Sequence, residues 1–261
     1  MQLMSRPFSL AAAATLFTTI ATGAPADALF RYATNAYYAG EYSQAAGGFA
    51  QSASLRPAGG TFQNLGNAEW QRGQVGAAIL AWEQALWLDP FNRFARADLQ
   101  FGRRAAQLES PDLSWYEVVS SWLPANWWAW VAALSLWSSI AISTVPGILR
   151  WRRASWHQAV AAFGLAFFLL SVPAQLGVQS RSRLGFVLVK DVPLRLTPTA
   201  EAQYITRLPA GEWARLENQR GKYLCIRTGH ATGWVLEDQF RLVSSAATTD
   251  VKPVQNKPTP P

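Results

Sequence analysis

Two uncharged apolar stretches, residues 122–149 and 156–178, constrain this chain more than any other feature. Each supplies the roughly 20 residues that a helix needs to cross lipid hydrocarbon. Trp122, Trp127, Trp128 and Trp130 crowd the start of the first and Trp156 opens the second; such rings favour the headgroup level of a bilayer. Arg150, Arg152 and Arg153 lie between them. Clustered arginines stay on the cytoplasmic side, so the 150–155 turn is expected in the cytoplasm and both flanks outside it. Arg181 and Arg183 after the second stretch weaken that bias, three arginines standing against two. Pro146 and Pro173 fall near the ends, where a membrane helix tolerates a kink. The competing reading, a buried helical hairpin in a soluble protein, fits poorly with two stretches of this length and no charge.

The amino terminus predicts the same orientation. Arg6, an apolar run over residues 8–21 and Ala24-Pro25-Ala26 have the layout of a secretory leader, 1–26, with cleavage before Asp27. An uncleaved anchor is the alternative. The net charge of +7 is scattered, without a lysine-rich face, which argues against nucleic acid as a partner. The single cysteine, Cys225, precludes an internal disulfide, and no cysteine and histidine spacing marks a metal site.

Residues 27–108 repeat themselves. Asn35-Ala36-Tyr37-Tyr38-Ala39-Gly40 aligns with Asn67-Ala68-Glu69-Trp70-Gln71-Arg72-Gly73, one residue longer at the turn. Ala45, Phe49 and Pro57 match Ala78, Trp82 and Pro90, each pair 33 residues apart and close to the tetratricopeptide period of about 34. Gly66, Ala68 and Ala78 allow close helix approach, Leu65, Trp82 and Leu86 fill the groove, and Gly40 and Gly73 stop the first helix of each pair. Pro57 and Pro90 close each repeat. Residues 92–108, with Ala95, Leu99 and Ala106 inward and Arg93, Arg96, Arg103 and Arg104 outward, are expected to form a solvating cap. Two repeats and a cap make a short solenoid, which is expected to lean on a partner or on the membrane. Glu109, Asp112 and Glu117 suit a polar linker, 109–121, leading to the membrane.

From residue 184 to 243 the period becomes two. Short strands are expected over 187–189, 192–196, 204–208, 213–217, 223–227 and 233–235, separated by turn residues such as Pro209-Ala210-Gly211 and Arg220-Gly221. Five or six strands in so few residues indicate a small barrel or sandwich. Residues 244–261, rich in Ser, Thr and Pro, are expected to be a disordered tail.

Within that module, Val192-x-Leu194-Arg195-x-x-Pro198, Leu208-Pro209-x-Gly211, Gly221-x-Tyr223-x-x-Ile226-Arg227 and Gly233-Trp234-Val235 resemble the bacterial SH3 domain. The family's usual Asn-Val-Arg is replaced by Pro193-Leu194-Arg195. With Asn64-Leu65-Gly66-Asn67-Ala68 and Ala85-Leu86-x-Leu88-Asp89-Pro90, the order of repeats, two spans and barrel resembles the BatE family of the Bacteroides aerotolerance operon. The expected fold is therefore multidomain: all-α tetratricopeptide hairpins, two transmembrane helices and a small all-β SH3-like barrel. The resemblance implies a protein of the inner membrane with both large modules on the periplasmic side. It also implies work beside other membrane proteins, with von Willebrand A domains and a MoxR-type ATPase, in stress tolerance or complex assembly.

Three function classes follow. In a scaffold, the concave repeat face with Asn35, Tyr38, Asn64, Asn67 and Trp70 grips a partner segment; Tyr38 and Trp70 are equally readable as packing within the repeats. In a peptidoglycan binder, Arg195, Tyr223 and Trp234 of the barrel contact the wall, Trp234 being equally readable as core. An enzyme is disfavoured: His157 and His230 lack a nucleophile or acid nearby in sequence, no cysteine and histidine peptidase segment is present, and no glycine-rich loop with lysine offers a nucleotide site. No cofactor is expected.

Overall fold

The computed structural model describes residues 23–148 and 155–247. The leader over residues 1–22, the arginine turn and most of the tail lie outside the described residues. Eight helices and one antiparallel sheet of seven strands are present among those described. Five helices come first: α1 (Gly23–Tyr38), α2 (Tyr42–Leu55), α3 (Gly59–Gln71), α4 (Val75–Leu88) and α5 (Arg93–Ala105).

Helices α1 and α2 pair as do α3 and α4, and the turn within each pair is the same object 33 residues on. Gly40 and Gly73 both hold positive φ, +79° and +74°. The amide of Glu41 reaches the Ala36 carbonyl, and that of Gln74 reaches Glu69, at 2.9 Å each. This is the glycine stop that satisfies the last helical carbonyls. A Cβ at Gly66 would lie 2.5 Å from the Trp82 ring, so the glycine is what lets the indole sit against α3. Helix α1 runs through Ala24-Pro25-Ala26, with Ala26 buried and its carbonyl accepting a 2.8 Å bond from Ser52 Oγ. The proposed cleavage site and the first turn of α1 thus occupy the same residues.

The sheet comprises β1 (Leu184–Val187), β2 (Val192–Arg195), β3 (Tyr204–Leu208), β4 (Trp213–Arg220), β5 (Tyr223–Arg227), β6 (Thr232–Leu236) and β7 (Phe240–Leu242), in the order β3-β2-β6-β5-β4-β1-β7. One more strand is present than the alternation predicts, and β1 begins three residues earlier. All seven strands contribute to one core that includes Val187, Leu194, Leu208, Ala214, Ile226, Val235 and Phe240, so the sheet must coil around it.

Strand β1 is buried at every residue. Val187 faces the sheet's own core, whereas Leu184 and Phe186 join Ile79, Trp82, Trp87 and Leu99 of the helices in a second one. A Cβ on Gly76 would collide with the carbonyl oxygens of Val187 and Leu188, so α4 lies directly on the strand. Arg103, expected to face outward, instead pairs with Glu83 and covers the Phe186 ring at 5.9 Å. The first residues of the expected tail, 244–247, continue a 3-10 turn that begins at the core residue Val243, and Ser245 accepts a 3.1 Å bond from Gln84. Helical repeats and sheet therefore share a hydrophobic core instead of forming independent modules.

Helices α7 (Ala125–Ile148) and α8 (Ser155–Arg181) pack as an antiparallel pair. They are long and apolar enough to span a membrane; 24 residues at 1.5 Å per residue reach about 36 Å against a hydrocarbon core of about 30 Å. Their apolar side chains are mostly uncovered: Leu134, Trp137, Phe163, Phe167 and Leu169 are exposed. The core helix of a soluble protein would be buried. Small residues hold the pair together. Ser139 Oγ donates to the Ala161 carbonyl at 2.8 Å, and Gly164 packs against Ser135 and Ser139, the close approach typical of helices in lipid.

The segment expected to be a polar linker contains a further helix, α6 (Trp115–Ser120). Its Glu117 is fully buried rather than solvated. Arg215 of β4 clamps that carboxylate at 2.5 and 2.9 Å while reaching Ser180 Oγ at 3.1 Å and the Asp112 carbonyl at 3.0 Å. Ser114 N donates to the same carboxylate at 2.8 Å. Trp128 Nε1 of α7 donates to the Ser120 carbonyl, and Gly177 of α8 lies where any side chain would strike the Tyr116 carbonyl. One ion pair thus ties α6, α8 and the sheet together. Burial by itself raises the Glu117 carboxyl, but hydrogen bonds from Arg215, Ser180 and Ser114 and the guanidinium charge hold it below its ordinary 4.5.

Two outcomes follow. Arg215→Ala leaves a buried carboxylate without its cation and is expected to cost about 3–5 kcal/mol, read as a lowered thermal midpoint of the detergent-solubilised protein. Because the Glu117 carboxyl titrates lower when folded, the pair's contribution is complete above the ordinary value of 4.5 and disappears as pH falls through the lower folded value; without the guanidinium burial raises the same carboxyl, so the gap between native and Arg215→Ala midpoints should be widest at neutral pH and close as pH falls into the acidic range.

Candidate partner-binding surfaces

Helices α1, α3 and α5 are linked on one side by polar side chains. Asn92 caps α5 through the Ala95 amide at 3.0 Å and donates from its own amide to Gln63 Oε1 at 3.2 Å. Gln63 Nε2 lies 3.4 Å from Asp98 Oδ2. Asn67 bonds Asp98 as well, and its Oδ1 accepts from Trp82 Nε1 at 2.9 Å. Gln71 reaches the Tyr37 hydroxyl. Burial pushes the Asp98 carboxyl up, and the Gln63 and Asn67 hydrogen bonds oppose it. The result is a polar seam across α1, α3 and α5, internally hydrogen bonded, on the side that the sequence assigns to the groove.

The sequence-designated groove residues divide accordingly. Tyr38 is 83% exposed and Asn35 is exposed; Asn64 is half-buried. Asn67 belongs to the seam, and Trp70 packs between Trp82 and Phe101 at centroid distances of 5.7 and 5.6 Å. Trp70 is thus packed within the repeats, whereas Tyr38 meets Tyr37 edge-on at 6.1 Å and is otherwise exposed. Sequence reasoning missed Phe94 and Phe101, both exposed on α5. They flank Asp98 at helical spacings of four and three, a stripe that was visible in the sequence but was read as part of a solvating cap.

On the sheet, Arg195 is opposite Trp234, which is opposite Cys225 on its other side, and Tyr204 is opposite Arg195. Directly opposed residues share a face, and Tyr223, two residues from Cys225, shares it too. Arg195, Tyr223 and Trp234 therefore come together on the face away from the Leu194, Ile226 and Val235 core. Tyr223 is buried, Trp234 and Arg195 are half-buried, and Arg195 also donates to the Ala200 carbonyl at 2.6 Å. A bulge at Glu217 places its carboxylate in an ion pair with Arg227 beside Cys225. Burial and then Glu217 raise the Cys225 thiol, the opposite of what an activated nucleophile needs.

A further hollow lies where the helices meet the sheet, lined by residues that include Leu108, Glu109, Glu212, Trp213 and His230, with a volume near 210 Å³. His230 stands 4.0 Å from Glu109. Among the described residues no group of three or more His, Cys, Asp or Glu is placed to hold a metal ion.

No protein-family model, curated protein or solved structure matches the chain.

The division of groove residues has a measurable consequence. Asn67→Ala strips partners from Trp82 Nε1 and Asp98 and is expected to destabilise the protein by about 1–3 kcal/mol, whereas Tyr38→Ala should leave the unfolding free energy within about 0.5 kcal/mol of native, both read by denaturant unfolding.

Proposed function

We propose that this chain is a non-enzymatic scaffold anchored in a bacterial inner membrane by α7 and α8, holding protein partners on a tetratricopeptide-like groove carried next to an SH3-like module. The observation that carries the reading is the groove itself. Its amide and carboxylate floor is fixed by internal hydrogen bonds, while Tyr38, Phe94 and Phe101 stand exposed around it. Preorganised polar groups lose little on binding, and rigid aromatic rings supply contact area at low entropic cost. The two helix pairs, with equivalent positions 33 residues apart, support the tetratricopeptide identity, and the coiled seven-stranded antiparallel sheet is consistent with an SH3-like barrel.

In this reading both large modules lie on the periplasmic side, the arginine turn being held in the cytoplasm. Partners are other membrane proteins of the envelope, as in the BatE family that the sequence resembles. A second reading, peptidoglycan recognition by the sheet, is favoured by the convergence of Arg195, Tyr223 and Trp234 on one face.

The intact chain is the object to test, because β1 shares a core with α4 and an isolated 184–243 fragment would expose Leu184 and Phe186. Photo-crosslinking from position 64 in native membranes should capture protein, and the combined Tyr38→Ala and Phe94→Ala variant should lose the adduct without a fall in stability. If capture is indifferent to these changes, the groove reading fails. Cosedimentation of the solubilised chain with purified cell wall, abolished by Arg195→Ala, would favour the second reading.

A further inference from the structure

Helix α6 is arranged inside out for a helix in water. Its polar Glu117 and Ser120 are buried against α8 and the sheet, whereas Trp115 is 66% exposed, Val118 42% and Trp122, one turn on, 59%. Positions 115 and 118 fall on one side by helical spacing and 117 and 120 on the other; Trp122 is exposed in the turn that follows the helix. Burial of the polar side is complete and hydrogen bonded, so the outward stripe is not an accident of a loose segment: the capping box at Ser114 and the Arg215 clamp fix its rotation. Leu113 adds a further exposed apolar residue just ahead of the helix.

The stripe is placed where the two apolar helices leave the body of the protein. Helix α6 packs on the last turns of α8 through Gly177 and Ser180, and the Trp128 indole at the start of α7 bonds its end. The exposed Trp127 and Trp130 of α7 follow within a few residues of Trp122. An outward surface that is apolar, rich in indole and carried where α7 begins and α8 ends suits the boundary between headgroups and acyl chains, where Trp partitions.

We propose that Trp115, Val118 and Trp122 form a third membrane contact, an interfacial docking patch inserted into the outer leaflet's headgroup region, and that its occupant is the lipid surface. This rests on α7 and α8 spanning the bilayer. The consequence is mechanical. Because α6 is locked to β4 by Arg215, a patch seated in lipid holds the shared helix and sheet body at a fixed height and tilt, and thereby fixes the direction in which the groove faces.

The test uses the full chain in phosphatidylcholine vesicles, with the environment-sensitive dye NBD on single cysteines in a Cys225→Ser background. Trp115→Cys and Val118→Cys report the patch, Trp137→Cys reports the span and Phe94→Cys reports the water-exposed body. Blue-shifted emission at 115 and 118, quenched by a nitroxide placed high on the acyl chain and protected from aqueous iodide, is the expected result, with 94 quenched by iodide. If 115 and 118 behave like 94 while 137 remains quenched by lipid nitroxide, the docking patch is wrong and the spanning reading stands. Iodide access at 137 would instead overturn the spanning reading. Protection at 115 and 118 from iodide and nitroxide alike would assign the patch to a second copy of the chain and also refute lipid docking.

Discussion

Strand β1 is where the molecule is made one object. Four consecutive residues, Leu184 to Val187, are buried, and that is satisfied only if apolar material covers both faces. The sheet's own core covers one face; α4, with Ile79, Trp82 and Gly76, covers the other. Since α4 is also the second helix of the second pair, the repeats cannot shift relative to the sheet without opening a core. The polar seam of the repeats and the sheet's outer face consequently keep a fixed relation.

The Glu117 and Arg215 pair extends the same rigidity to the stalk. A buried ion pair contributes little net stability when compared with an apolar substitute, but it is geometrically exacting, and losing one partner is costly. Here one guanidinium bonds α6, α8 and the linker carbonyl at Asp112 while belonging to β4. Orientation is therefore specified at the point where the apolar hairpin meets the body. Arg181, over the Trp87 ring at 5.1 Å, joins α8 to α4 beside it.

Much of this was legible along the chain because it depends on neighbours in sequence. The two glycine stops, the 33-residue spacing and the long uncharged helices are local patterns, and they emerge at or near the expected residues. Strands β3 and β5 match their expected limits, being bounded by turn residues on both sides. Strand β7 was not readable: Phe240–Leu242 is three residues long and follows an acidic 3-10 turn, and it is a strand only because β1 is alongside. Glu117 was misread for a related reason. A carboxylate in a proline-containing segment is ordinarily solvated, and its partner lies 98 residues away.

Sequence by itself determined the parts: a repeated helix pair, two stretches apolar enough to span, and a period-two module, all set by short-range sterics and hydrophobic periodicity. Tertiary structure decided what those parts are to one another. It placed Asn67 and Trp70 in the framework while leaving Tyr38 outside, brought Arg195, Tyr223 and Trp234 to one face, and turned a linker acid into a buried anchor. Such outcomes depend on which distant surface each side chain meets, and contact between residues far apart in the chain leaves no periodic trace in the order of the residues.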